Sequence, residues 1–180
     1  MVRPVYPGKV NGQRFLLMAG VGFDAFVVGH VSSSLKRKLS VYGLGKLAYV
    51  WASLVALVKC PFADYTVTLD GREIKAGSVI AAKAHFYGGT FVCAPQADMR
   101  VTTIEMCIAK NTGPWATLRY MTALTTGRFH KVRDIEIVPV SEAWITGPED
   151  DYTQIDGDIG PSLPLHLEVS SKPVRLIYPA

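Results

Sequence analysis

Phe15-Leu16-Leu17-Met18-Ala19-Gly20-Val21-Gly22-Phe23-Asp24-Ala25 admits two opposed readings. An apolar run followed by Gly-x-Gly-x-x-Ala superficially matches the strand-to-helix turn of dinucleotide-binding α/β proteins. Three features reject that match. Asp24 stands at the helix entrance, where a pyrophosphate needs a positive field; no acidic residue follows about 20 positions on to take a ribose hydroxyl; and no strand–helix alternation continues. What remains is a strand over 14–19, a glycine turn, and a helix near 24–30 with Asp24 as its cap. A Gly-x-x-x-x-Gly-Lys-Ser/Thr phosphate loop is also absent from the sequence.

Working outward, the period changes after Pro61. Tyr65-Thr66-Val67-Thr68-Leu69 alternates, Asp70-Gly71 is a two-residue hairpin signal, and residues 72–76 alternate on the return. Further strands are expected at 78–84, 90–94, 103–109, 134–140, 143–146, 152–156, 165–170 and 174–178. One helix interrupts them: Pro114 suits a first helical position, and Trp115, Leu118, Met121 and Leu124 recur at helical spacing up to Gly127. Many short strands with few helices predict a mainly β (α+β) fold, a β-sandwich or open barrel with helical insertions.

Composition bounds the rest. The 180 residues are 49% hydrophobic and 19% charged, which excludes a disordered or collagen-like chain and suffices for one cored domain. The longest apolar run, 47–58, is interrupted by Ser53 and falls short of the roughly 20 residues a membrane-spanning helix needs. Cys60, Cys93 and Cys107 cannot pair completely and lack zinc-like spacing, so a reducing cytoplasm is the expected compartment. The net charge of +4 is unevenly spread. No acid lies between Asp24 and Asp64, where Lys36, Arg37, Lys38, Lys46 and Lys59 fall. Glu149, Asp150, Asp151, Asp156 and Asp158 concentrate negative charge elsewhere.

Three segments are candidates for chemistry. The region 35–59, basic at its start and then apolar with Tyr42, Tyr49 and Trp51, reads either as a core-packed helix or as a helical lip on an anionic bilayer. Arg119, Arg128, His130, Lys131 and Arg133 near the later helix would reinforce such a face. Nucleic acid is not expected, since no binding module accompanies these cations. Tyr87-Gly88-Gly89-Thr90-Phe91 followed by Ala94-Pro95-Gln96-Ala97-Asp98 reads as a tight loop allowing close backbone approach. In Ile155-Asp156-Gly157-Asp158 two carboxylates flank a glycine. This is either a hairpin turn, as at Asp70-Gly71, or a carboxylate site with a raised pKa or a bound cation, suited to a general base.

In this order the segments resemble the C-terminal domain of the diacylglycerol kinase catalytic family, bacterial lipid kinases related to sphingosine and ceramide kinases. The matching pieces are residues 15–25, the basic stretch with Gly45-Lys46-Leu47-Ala48-Tyr49, Tyr87-Gly88-Gly89, residues 94–98, and Gln154-Ile155-Asp156-Gly157-Asp158, spanning nearly the whole chain. The resemblance implies that residues 1–180 are the β-rich, lipid-side half of a two-domain enzyme. The nucleotide-binding domain with its Gly-Gly-Asp-Gly-Thr loop is not in this sequence.

In that scheme Asp158 is the proton acceptor, standing where the family has Glu, and Asp156 and Gly157 support the loop or help position magnesium. Asp24, Gly88 and Gly89 lie near the site. Lys36, Arg37, Lys38, Lys46, Tyr49 and Trp51 meet the lipid. The resemblance implies ATP and Mg2+ as cofactors of the full-length enzyme, neither held tightly by this chain alone. It further implies a cytoplasmic protein peripheral to the inner membrane face, and a lipid, an anionic surface, the nucleotide-binding domain or a second copy as partners. Bacterial members carry a structural magnesium just after the Ala-Pro-x-Ala turn, usually on the aspartate of an Asp-Gly pair. Here Val101-Thr102 stands in that place, leaving Asp98 as its one obvious ligand, so that site is expected to be lost or remodelled. The rival readings are a non-catalytic lipid-binding or oligomerisation module and, disfavoured by the apolar helix, a soluble NAD-kinase-like enzyme.

Overall fold

The computed structural model describes residues 2–30 and 57–177. Its strands are β1 (Val2–Val5), β2 (Gly8–Val10), β3 (Gln13–Phe15), β4 (Met18–Val21), β5 (Tyr65–Leu69), β6 (Arg72–Ala76), β7 (Ser78–Ala82), β8 (Phe86–Tyr87), β9 (Phe91–Val92), β10 (Ile104–Ala109), β11 (Ile135–Val140), β12 (Glu142–Thr146), β13 (Thr153–Ile155), β14 (Asp158–Ile159), β15 (Leu165–Val169) and β16 (Val174–Ile177). Helix α1 is Phe23–His30, and α2 is Pro114–Thr125 with Pro114 in its first turn.

The strands form two six-stranded antiparallel sheets, ordered β11-β10-β7-β4-β13-β14 and β3-β2-β15-β12-β5-β6. β1 with β16 and β8 with β9 make two short ribbons. Of the two expected architectures this is the sandwich. Alternation sets the facing. In β5 Tyr65, Val67 and Leu69 are buried while Thr66 and Thr68 are half-buried, and these apolar residues join Val10, Phe15, Ile145, Leu165 and Leu167 in the core between the sheets. Full burial of each such side chain stabilises the fold by about 1.5–3 kcal/mol.

The first sheet is covered on both faces. In β10 Ile104, Met106 and Ile108 face the inter-sheet core, whereas Cys107 and Ala109 face a second cluster with Tyr120, Phe129 and Ile135. Both faces of β10 are thus buried, and Glu105 is the one charged residue among them. In that second cluster the thiols of Cys93 and Cys107 lie 3.9 Å apart, both buried.

The structure adds four strands that the sequence reading did not foresee, β1, β2, β8 and β14, and divides one that it did. The expected strand over 14–19 is two strands, β3 and β4, parted at Leu16-Leu17. Helix α2 forms where expected but buries Thr117, Tyr120 and Ala123, leaving Trp115 82% and Leu118 39% exposed. The Tyr120 hydroxyl orients that face: it donates to Asp134 and accepts the Asn111 amide at 3.1 Å.

Candidate functional site

Strand β4 and its flanks gather the distant segments. β4 pairs with β13, placing Gly20 opposite Gln154 and Ala19 opposite Ile155. On its other side it pairs with β7, Gly20 opposite Ile80. A Cβ on Gly20 would sit 2.5 Å from the Val79 carbonyl oxygen. The glycine of the dinucleotide-like run thus permits strand packing rather than phosphate approach.

The Asp156-Gly157 pair forms the β13–β14 turn, with φ of 50° and 88°. Positive φ at both central residues is the geometry Asp-Gly favours. The Asp156 carboxylate does more than shape the turn. It accepts the backbone N–H groups of Leu16 at 2.8 Å, Leu17 at 2.9 Å and Met18 at 2.9 Å, while its own N–H donates to the Met18 carbonyl at 2.8 Å. Hydrogen bonds to an ionised acceptor are the strong kind. They hold open the break between β3 and β4 and fix the hairpin upon it. The Gly157 N–H is taken by the Gln154 side-chain oxygen at 3.0 Å.

Asp158 follows at the start of β14, the outermost strand of its sheet, and is exposed. Its backbone pairs with Ile155, while its carboxylate has no hydrogen-bond or ion-pair partner among the described residues. Helix α1 packs on β13, β14 and β4, so the hairpin and the helix start form one unit.

Asp24 occupies the first turn of α1. The Tyr87 hydroxyl donates to its Oδ1, while its Oδ2 is buried and has no partner among the described residues. Burial pushes the carboxyl up to about 7, and the neighbouring Gln154 side chain opposes the shift. The expected cap is therefore not made among the described residues: Phe26 N–H bonds the Gly22 carbonyl at 3.0 Å, and the carboxylate turns inward to Tyr87. Three of the quoted segments meet here: residues 15–25, Tyr87-Gly88-Gly89 and residues 154–158.

The remaining predicted residues are placed as follows. Gly88 and Gly89 have φ of 56° and 96°, and a Cβ on Gly89 would meet nothing within 4 Å. The pair is required by its backbone conformation, not by close approach. The acidic cluster is divided: Asp151 accepts the Tyr65 hydroxyl, whereas Glu149 and Asp150 are exposed. Desolvation and the Asp151 contact raise the Tyr65 phenol. Lys36, Arg37, Lys38, Lys46, Tyr49 and Trp51, proposed for lipid contact, lie outside the described residues. Near α2, an open groove is lined by Trp115, Leu118, Arg119, Arg128, Lys131 and Val132.

Asp98 fits magnesium poorly. Both its oxygens face Arg100, with Nε at 2.9 and 3.0 Å and an NH2 nitrogen at 2.6 Å, and this holds the carboxyl down at about 2. No group of three or more His, Cys, Asp or Glu among the described residues could hold a metal ion. A polar residue that sequence reasoning passed over lies beside it. Lys83 is fully buried although its neighbours, Ala81-Ala82-Lys83-Ala84, gave no signal beyond a lysine in an apolar run.

Residues 18–178 match the family model described as the YegS C-terminal NAD kinase beta sandwich-like domain. Over 166 residues the chain is 24% identical to the diacylglycerol kinase of Bacillus subtilis (strain 168), covering 91% of this chain and 53% of that protein. The crystal structure of a diacylglycerol kinase from Bacillus anthracis str. Sterne superposes with a TM-score of 0.62 at 17% identity, covering 99% of this chain and 55% of that one. A second crystal structure from the same strain reaches a TM-score of 0.67 at 24% identity, covering 94% and 54%. The chain thus spans about half the length of the relatives it matches, and the structural likenesses establish its fold.

Proposed function

Because the chain belongs to the YegS C-terminal NAD kinase beta sandwich-like family, we propose that it is the lipid-side domain of an ATP-dependent lipid kinase. It presents a lipid hydroxyl, such as that of diacylglycerol, and the base that receives the hydroxyl proton. A separate nucleotide-binding domain presents ATP with Mg2+, whose charge neutralisation assists transfer of the γ-phosphoryl group. This domain's own part is positioning and proton removal, with Asp158 as the base.

One observation carries the reading. The three-amide grip of Asp156 on residues 16–18 holds a rigid turn, and the carboxylate two residues later stands exposed and unpartnered among the described residues. An attacking hydroxyl needs an accessible acceptor on a fixed frame. Asp158→Asn in the protein carrying both domains should lower lipid phosphorylation by about 100-fold or more while ATP binding is kept. Unchanged turnover would remove Asp158 from the mechanism.

A second reading, a non-catalytic lipid-binding module, is favoured by the α2 groove. Exposed Trp115 and Leu118 adjoin Arg128 and Lys131, and aromatic and cationic side chains together suit a membrane interface. On this reading the contact is peripheral, at the inner face of the membrane; among the described residues no helix is long and apolar enough to cross a membrane. Flotation on vesicles with and without anionic lipid, run beside radiolabelled ATP transfer, separates the two. Flotation without transfer, with the nucleotide-binding domain supplied, selects the module.

A further inference from the structure

Lys83 lies just past the end of β7 with its side chain fully enclosed. Its ammonium donates to three backbone carbonyls of one loop: Val101 at 2.6 Å, Thr103 at 2.7 Å and Asp98 at 3.4 Å. Three donors meet three acceptors. Among the described residues the buried charge has no carboxylate within bonding distance, because the Asp98 side chain is turned to Arg100. Burial lowers the Lys83 pKa to about 8, and the nearby Asp98 charge opposes that shift. Convergent carbonyls beside one carboxylate are the chemistry of a hard-cation seat.

The same residue is tied to the candidate site. The Lys83 N–H donates to the Leu17 carbonyl at 2.8 Å, and the Leu17 N–H donates to Asp156 at 2.9 Å. The 98–103 loop is therefore joined to the Asp156 turn through one lysine and one leucine.

We propose that the Lys83 ammonium is the resident cation of the 98–103 loop, taking the seat where the family resemblance implies a structural magnesium, so that this loop is ordered without a divalent ion. The comparison with magnesium rests on the family reading, while the carbonyl cage stands on the geometry alone. A buried lysine serving only as filler would not have all three protons directed at carbonyls of the one loop. An ammonium cannot be chelated away, and the loop it orders is insensitive to metal supply.

The full chain, without nucleotide, tests this by melting in EDTA and in excess MgCl2, and by Mn2+ broadening of backbone amide NMR signals. The expected result is an unchanged melting temperature, amides of residues 98–103 not selectively broadened, and a slowly exchanging Lys83 ammonium signal at mildly acidic pH. Lys83→Met should lower the melting temperature by about 10 °C, since the carbonyls lose their cation. Saturable stabilisation of the wild-type chain by Mg2+ with selective broadening at 98–103, a neutral Lys83 amine, or an unaltered melting temperature in Lys83→Met would each overturn the proposal. If Lys83→Met fails to fold, the wild-type measurements decide. None of these readouts involves phosphoryl transfer, so failure here leaves the kinase reading untouched, and loss of the kinase reading leaves the cage in place.

Discussion

Two hairpins of this molecule are built from the same dipeptide. Asp70-Gly71 joins β5 to β6 with φ of 48° and 80°, and Asp156-Gly157 joins β13 to β14 with φ of 50° and 88°. Locally they are one turn. They differ in what the aspartate reaches. Asp70 stands exposed at a sheet edge, without a hydrogen-bond or ion-pair partner among the described residues. Asp156 grips the amides of Leu16, Leu17 and Met18, about 140 residues earlier in the chain. Turn chemistry is a local property, and a role beyond reversing the chain comes from what the rest of the fold brings beside it.

Breaking the comparison should cost very different amounts at the two tips. Asp156→Ala removes three charge-assisted bonds and should destabilise the chain by about 4 kcal/mol, read as a shifted denaturation midpoint, with lipid phosphorylation lost as Asp158 drifts. A loss under about 1 kcal/mol would reduce Asp156 to the status of Asp70.

The next effect is a pH dependence confined to the site hairpin's surroundings. Asp24, bonded by Tyr87, has its folded pKa raised by burial from 3.8 to about 7. Between those values the unfolded carboxyl is ionised while the folded one keeps its proton, so the folded state binds more protons. Stability should therefore fall as pH rises from about 4 through about 7, by about 3 kcal/mol after allowance for partial exposure, and then level off. Asp24→Asn should flatten that slope in denaturant titrations at several pH values.

Asp156→Asn sharpens the contrast further. It keeps the shape and the tolerance of positive φ but supplies one oxygen and no charge, so about 1–2 kcal/mol should be lost by the same midpoint measurement. The smallest effect belongs to Asp70→Ala. A few tenths of a kcal/mol are expected, from the turn preference alone.

Much of the fold was legible because its signals are local. The alternation of residues 65–69, the two Asp-Gly turns and Pro114 at a helix start each express an intrinsic backbone preference within a few residues. The candidate site was legible as a set of separate segments whose order along the chain resembled a family. Their meeting was not, nor were the break at Leu16-Leu17, the inward turn of Asp24 or the seat of Lys83. Residues 14–19 read as one strand, because the carboxylate that takes the amides of residues 16–18 is remote in sequence. The stripe through Trp115 and Leu118 located the helix but not its packing: helical spacing marks an apolar face but does not say which face the sheet will cover, and here the Tyr120 bonds to Asp134 and Asn111 settled it.

The amino-acid order alone thus sufficed for a mainly β chain, the positions of its turns and the family it resembles, since periodicity and turn residues act over a handful of bonds. Which carboxylate is gripped, which is buried and which stands open, and whether a loop is held by lysine, were decided by strand pairing between distant segments. Burial and hydrogen-bond geometry are properties of neighbours in space, and a one-dimensional order does not contain them until the sheets have formed.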